Sequence, residues 1–210
     1  MTDFSFPEKP NYNFTKGQTL ERKKLLKNKV EHIKFKDLKN TNELIEAYSK
    51  SSFQARKIGE GAKLYKKELN RGTTIIWSLA GSIFSAGLRE LVIDSVRKNL
   101  VDCLVCTGAL FEQDMLEALG YNHYVQTEEI EDKTLQNLLI DRIYDHLLDE
   151  IELQHVDETY KKIAKQMDSG NYSSREFMEY CGKWLSNVKD ANDSVIPVSY
   201  THLRAHETRS

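Results

Sequence analysis

Hydrophobic and polar positions change period along the chain, and the change is sharpest between residues 71 and 120. Thr73-Thr74-Ile75-Ile76-Trp77 is an unbroken β-branched and aromatic run. Such a run predicts a strand buried on both faces. Small residues follow at Ser78, Ala80, Gly81, Ser82 and Ser85-Ala86-Gly87. Leu88, Leu91, Val92 and Val96 then recur at helical spacing. A second apolar run, Leu100-Val101-Asp102-Cys103-Leu104-Val105, ends in the small-residue turn Thr107-Gly108-Ala109. Phe111, Met115, Leu116 and Leu119 mark another helix face. Two strands joined by a helical crossover should run parallel with a right-handed connection. Both small-residue loops then open at the carboxyl ends of neighbouring strands, where open α/β sheets bind ligands. Small residues let backbone N–H groups approach a phosphate, and the helix N-terminus beyond favours negative charge. A nucleotide crevice is one reading. The chain has no G-x-G-x-x-G, and small residues after a strand also serve as plain tight turns, so the pattern leaves both open.

Outside this stretch the pattern is mostly helical. Residues 1–15 hold two of the three prolines and little periodicity, as expected of an extended arm, either disordered or docked on a neighbouring subunit. Residues 16–39 are Lys-rich, which predicts a solvated helix face rather than a nucleic-acid contact. Asn40-Thr41-Asn42-Glu43 reads as a capping box that opens a short helix with Leu44, Ile45 and Tyr48. A longer helix is expected over 53–69, with Phe53, Ile58, Ala62, Tyr65 and Leu69 as its stripe. Gly59 and Gly61 inside it cost about 1 kcal/mol each relative to Ala, and close packing against the sheet is one reason to keep them. Residues 135–153 count as one amphipathic helix. A helix runs from near Asp149 to Met167, and Asp168-Ser169-Gly170-Asn171 stops it. Ser173-x-x-Glu176 is a capping box for a last helix that turns Phe177, Cys181, Trp184, Leu185 and Val188 inward.

Composition narrows the class. The 210 residues are 40% hydrophobic and 30% charged, with a formal net charge of −2. That suits a globular protein with one real core and no global attraction to polyanions. No apolar run approaches the length of a membrane span. Met1-Thr2-Asp3-Phe4 lacks the charged head and apolar stretch of a secretory signal, and the three cysteines are an odd number. A cytoplasmic location is expected. Cys103-Leu104-Val105-Cys106 has redox spacing but lies along a strand, so its thiols should point to opposite faces as core residues. His123, His146 and His155 share no ligand spacing. His202 and His206 stand four apart without a Cys or carboxylate partner nearby, so no metal site is expected.

Three stretches together carry a family resemblance. Ser85-Ala86-Gly87-Leu88-Arg89-Glu90, then Leu100-Val101-Asp102-Cys103-Leu104-Val105-Cys106-Thr107-Gly108, then Glu112-Gln113-Asp114 resemble deoxyhypusine synthases in order and spacing. Ser52-Phe53-Gln54-Ala55-Arg56 and Ile58-Gly59 are similar to the helix before the family's first strand. Ile140-Asp141-Arg142-Ile143-Tyr144-Asp145 is similar to a short extended piece, against the helical count there. The resemblance implies an α/β fold: a Rossmann-like parallel sheet flanked by helices, incomplete here because family members run on further. The reaction it implies is NAD-dependent. Spermidine is oxidised, its aminobutyl group passes as an imine to an enzyme lysine, and it moves on to a lysine of the hypusine-bearing translation factor. The attacking lysine must be neutral, hence desolvated, and a polyamine calls for carboxylates.

Carried over residue by residue, the resemblance assigns cofactor contacts to Gly81, Ser82, Ile83, Phe84 and Ser85 in the first loop. It adds Thr107, Gly108 and Ala109 in the second, together with Gln113. Glu112 and Gln113 match the pair that contacts spermidine and cofactor. Both members are glutamate in the eukaryotic enzymes, so Gln113 keeps the hydrogen bonding and loses the charge. That leaves room for a homospermidine synthase-like transfer to a free polyamine, or for a non-catalytic activating paralogue. The family is a homotetramer with active sites between subunits. Its catalytic lysine lies beyond this chain, and no lysine here takes that role. From Val198 the sequence Val198-Ser199-Tyr200-Thr201-His202-Leu203-Arg204-Ala205-His206-Glu207-Thr208-Arg209-Ser210 looks like a translated adapter rather than family sequence. The expected organisation is an arm over 1–15, the N-terminal part of an NAD-binding domain over 16–197, and a non-native tail over 198–210, inactive alone.

Overall fold

The computed structural model describes residues 9–188 and 193–203. The chain forms two compact units, Met1–Arg71 and Gly72–Ser210.

In the first unit, α1 (Lys16–Leu25) starts at Thr15, whose side chain accepts from the Gln18 N–H while Gln18 returns a bond to the Thr15 backbone. No residue of α1 is buried, as its lysines foretell. A 3-10 turn at Phe35–Asp37 leads to α2 (Thr41–Tyr48). The Asn40 side chain caps α2 by accepting from the Glu43 N–H at 3.0 Å. The Glu43 carboxylate reaches back one residue further than expected, to the Lys39 N–H. α3 (Phe53–Arg71) packs on α2, and Gly59 marks the contact. A Cβ on Gly59 would lie 2.5 Å from the Ser49 nitrogen and 2.6 Å from its Cα. This glycine therefore serves the approach to the end of α2 rather than to a sheet, and Gly61 meets nothing within 4 Å. Of the expected stripe, Tyr65 and Leu69 are half-buried while Phe53, Ile58 and Ala62 are exposed.

The second unit opens with β1 (Ile76–Leu79), a π-helical turn at Phe84–Leu88, α4 (Arg89–Arg97), β2 (Cys103–Cys106) and α5 (Gly108–Ala118). β1 and β2 pair in parallel, with Ile76 opposite Cys103 and Leu79 opposite Cys106. The Asp102 carboxylate accepts from the Ile75 N–H at 2.8 Å and pins the start of the pair. Next come β3 (Tyr124–Val125), α6 (Asp132–Asn137), β4 (Ile140–Ile143), β5 (His146–Asp149), α7 (Glu150–Lys165), α8 (Ser174–Ser186) and α9 (Val195–His202). Strands β3, β5 and β4 form a separate antiparallel sheet. The fold is thus α/β, with a parallel pair among the described residues.

Several expectations need correction. β1 is not buried on both faces. Trp77 and Leu79, with Leu104 and Cys106 of β2, pack on the core, while Ile76 is 61% and Val105 53% exposed on the other face. Residue alternation in a parallel pair puts Ile76, Ser78, Cys103 and Val105 together. Cys103 and Cys106 accordingly face opposite ways, as their spacing requires. In α4 the buried side is Arg89, Val92, Ile93 and Val96, and Leu88 and Leu91 are exposed. Residues 135–153 are not one helix. Leu139 and Tyr144 adopt positive φ, and the chain between them and beyond is a hairpin, in line with the extended piece that the resemblance implied. α7 starts where Asp149 caps it, its carboxylate 2.8 Å from the Ile151 nitrogen. The Ser173–Glu176 capping box is present at α8.

Two cores result. One gathers Met115, Leu116, Val156, Ile163, Cys181 and Leu185 from α5, α7 and α8, with Ile196 of α9. The other sits under the parallel pair and holds Phe84, Val92, Ile93, Val96 and Leu110 with Val195 and Val198 of α9. α9 runs through position 198 without a break, and Val198 is buried. The rest of the tail from Arg204, His206 included, lies outside the described residues, as do the first eight residues of the arm.

Candidate functional site

Parallel pairing at Leu79 and Cys106 sets the two small-residue loops side by side. The first loop leaves β1 through Ala80 and turns at Gly81, whose φ of 78° favours glycine. Ser82 and Ile83 lead into the π-helical turn, where the Leu88 N–H donates to the Ile83 carbonyl and Ala86 to Ser82. Gly87, at φ 84°, lets the chain leave this turn and start α4. Phe84 is 3% exposed and fills the core below, so only its backbone faces the loop. Gly81 and Ser82 are at the surface or half-buried.

The second loop is the start of α5. Thr107 occupies the cap position in extended conformation, and its side chain makes no capping bond. Gly108 and Ala109 follow as exposed residues in the first turn. The N–H groups of a first helical turn have no partner inside the helix. The Leu110 and Phe111 N–H groups return to the Thr107 carbonyl, so the N–H groups of Gly108 and Ala109, with the Thr107 hydroxyl, are the ones that suit an anion here. A Cβ at Gly81 or Gly108 would meet nothing within 4 Å, so the space in front of both loops is open. These residues fit a phosphate-bearing ligand.

A bond ties the first loop to the body of α5, the helix that the second loop opens. The Ser85 N–H donates to the Gln113 side-chain oxygen at 3.3 Å, across 28 residues of sequence. Gln113 is 6% exposed. Its neighbour Glu112 is half-buried on the same turn of α5. Burial pushes the Glu112 carboxyl above its ordinary value, and the charges of Asp157 and Glu150 push it the same way. Glu112 is thus a carboxylate placed where a positive partner would relieve it. The Cys106 thiol at the end of β2 is raised by burial first and by Asp114 second, so it is a poor nucleophile.

Sequence reasoning missed the polar hub beneath the loops. Asp114 is 1% exposed and accepts from Arg89 Nε at 2.7 Å. It also accepts from Ser194 Oγ at 2.7 Å, from the Val195 N–H at 3.0 Å and from the Ile196 N–H at 2.9 Å. Arg89 reaches Glu117 at 3.5 Å, Glu90 at 3.2 Å and the Asp193 carbonyl. Glu117 also bonds His123 Nδ1 at 2.9 Å. Both hub residues lie inside the quoted stretches, Arg89 before Glu90 and Asp114 after Gln113. Their pairing over 25 residues leaves no trace in local spacing.

Elsewhere the candidates fall away. Among the described residues no group of three His, Cys, Asp or Glu side chains is arranged to hold a metal ion, and no helix is long and apolar enough to cross a membrane. A concavity of about 340 Å³ lined by Phe14, Thr19, Arg22, Lys23 and Leu26, and another of about 260 Å³ around Glu31 to Lys50, contain no candidate site residue.

A parallel β-α-β step with its two small-residue loops at the carboxyl ends of adjacent strands defines an α/β unit. The chain belongs to the deoxyhypusine synthase family, whose model matches residues 43–203. It is 38% identical over 174 residues to a "Deoxyhypusine synthase-like protein" of Elusimicrobium minutum, covering 81% of this chain and 46% of that protein. It is 37% identical over 184 residues to the protein of the same name from Coxiella burnetii, covering 86% and 52%. A "Probable deoxyhypusine synthase 2" of Methanosarcina acetivorans is 36% identical over 169 residues, covering 79% and 49%. The chain spans about half the length of these relatives.

Proposed function

We propose that this chain is the dinucleotide-holding part of an NAD-dependent transferase that moves the aminobutyl group of spermidine to a lysine of the hypusine-bearing translation factor. The parallel pair is then one step of a Rossmann-like sheet. The observation that carries the reading is the register that sets Leu79 beside Cys106, with Ser85 of the first loop bonded to Gln113 of α5. Family membership supports the chemistry, and the loops supply groups that suit it. The backbone at Gly81, Ser82 and Ile83 and the first turn at Thr107, Gly108 and Ala109 would hold the diphosphate. Bound NAD would accept a hydride from the amine and later return it. Glu112 would pair with an ammonium of the polyamine, which lowers the cost of keeping that carboxylate ionised. The whole enzyme would be a cytoplasmic homotetramer, and the 210-residue chain would bind NAD without turning over.

Titration of the chain with NAD, followed by the fluorescence of Trp77 and Trp184 or by calorimetry, tests this. Binding is expected. Thr107→Glu, which sets a carboxylate at the proposed phosphate position, should weaken it tenfold or more, about 1.4 kcal/mol. An unchanged affinity in that variant, or no binding by the parent chain, would overturn the reading. With a longer form of the protein, spermidine plus the translation factor should yield deoxyhypusine. Product from spermidine plus putrescine alone would move the assignment to a homospermidine-forming enzyme. Deoxyhypusine formation by the 210-residue chain would refute its inactivity.

A further inference from the structure

The π-helical turn sends a backbone donor, the Ser85 N–H, to a side chain outside it. Ala86 donates to the Ser82 carbonyl at 3.0 Å and Leu88 to the Ile83 carbonyl at 3.1 Å, so both close on the loop's own backbone, whereas the Ser85 N–H bonds outside it. In an ordinary first turn such a group would face solvent or a ligand. Here it points inward to Gln113 Oε1. The Ser85 hydroxyl is committed as well, donating to the Ser82 carbonyl at 2.9 Å. Gln113 in turn is rooted in α5 between residues of fixed position. Asp114 next to it is locked in the hub with Arg89, and Met115 and Leu116 are fully buried.

We infer that Gln113 is a positioning residue: its side-chain carbonyl is a strut that holds the first loop in register with the second, and Ser85 belongs to the strut rather than to the ligand-facing surface. This rests on the dinucleotide reading of the loops for its functional consequence, though not for the strut itself. The neutral amide suits the task. A buried carbonyl oxygen takes the Ser85 N–H without the desolvation cost of a carboxylate beside the buried Asp114 charge. The division of labour follows. Backbone at Ser82 and Ile83 and the start of α5 meet the ligand, Glu112 alone supplies the charge toward an amine, and Gln113 fixes the distance between the loops. A strut of this kind acts on dinucleotide affinity and leaves amine affinity alone, which separates it from a direct amine contact at the same position.

Amide hydrogen exchange on the ligand-free chain reads the strut directly. Ser85 N–H protection should fall at least tenfold in Gln113→Met, which keeps the length and removes the acceptor. It should persist in Gln113→Glu, which restores an acceptor, while both variants keep a cooperative melt. If the chain binds NAD, Gln113→Met should weaken that binding tenfold or more and change spermidine affinity less than twofold, with Gln113→Glu within about threefold of the parent. Unchanged Ser85 exchange in Gln113→Met overturns the strut. So does a variant whose spermidine affinity falls while NAD affinity holds. A parent chain that binds no dinucleotide defeats the functional reading, and the exchange measurement still decides the strut.

Discussion

Two glycines in one helix show how far a single residue's surroundings decide its effect. Gly59 and Gly61 lie two positions apart in α3 and look alike in sequence. A methyl group at Gly59 would strike Ser49 backbone, which cannot swing aside as a side-chain end can, whereas Gly61 faces open space. Gly59→Ala should therefore destabilise the first unit by about 1–3 kcal/mol, the usual cost of overpacking. Gly61→Ala should stabilise it by up to about 1 kcal/mol through helix propensity. Denaturant unfolding of the two variants checks this, and effects of the same sign would contradict it.

Glu112 offers a second test at the same scale. Its raised pKa means that the folded chain holds the proton more tightly than the unfolded chain. Folding then takes up a proton, so this group's contribution to stability falls as pH rises from the ordinary carboxylate range through the raised value. Glu112→Gln should flatten that part of the stability profile and melt higher than the parent at neutral pH. Urea midpoints measured across acid to neutral pH would show it, and an unaltered slope would count against the assignment.

At the scale of elements, α9 is held by electrostatics as much as by apolar burial. The Asp114 carboxylate sits against its N-terminus, takes the Val195 and Ile196 N–H groups and is balanced by Arg89. A negative charge there is favourable to the helix end. Removing it leaves Arg89 buried and without its main partner. Asp114→Ala should cost about 3–5 kcal/mol. Ser194→Ala, which removes one cap and keeps the ion pair, should cost about 1 kcal/mol. Chemical denaturation separates the two, and an Asp114→Ala chain within 1 kcal/mol of the parent would show the hub to be ornamental to stability. Arg89 and Asp114, which fall inside the stretches that resemble the family, are buried in this hub beneath the loops. They set the platform on which Gln113 and the loops stand.

For the whole molecule, the parallel pair covers only one of its faces. Trp77, Leu79 and Leu104 meet the core and Ile76 and Val105 do not. An unbroken β-branched run predicts burial on both sides because such residues are costly to expose. Whether a second layer arrives depends on chain outside the pair, which the run itself cannot report. α9 makes a related point. The helix continues past Val198, and Val198 packs beneath the parallel pair, because packing responds to shape and apolarity.

Local chemistry determined much of this protein before any fold was known. The parallel strand–loop–helix order, the Asn40 cap, the Ser173–Glu176 capping box, the start of α7 at Asp149 and the opposed cysteines all follow from interactions that span a few residues, so adjacent positions carry the information. Hairpin β4–β5 was legible only through resemblance, since a stripe of apolar residues suits a helix and a strand equally over so short a run. Only the tertiary structure decided which glycine was crowded, which face of α4 was inward, and that Arg89, Asp114 and Ser194 meet. It alone turned Gln113 toward Ser85. Those outcomes depend on groups 10 to 80 residues apart, brought together by the packing of whole elements, and no periodicity encodes them.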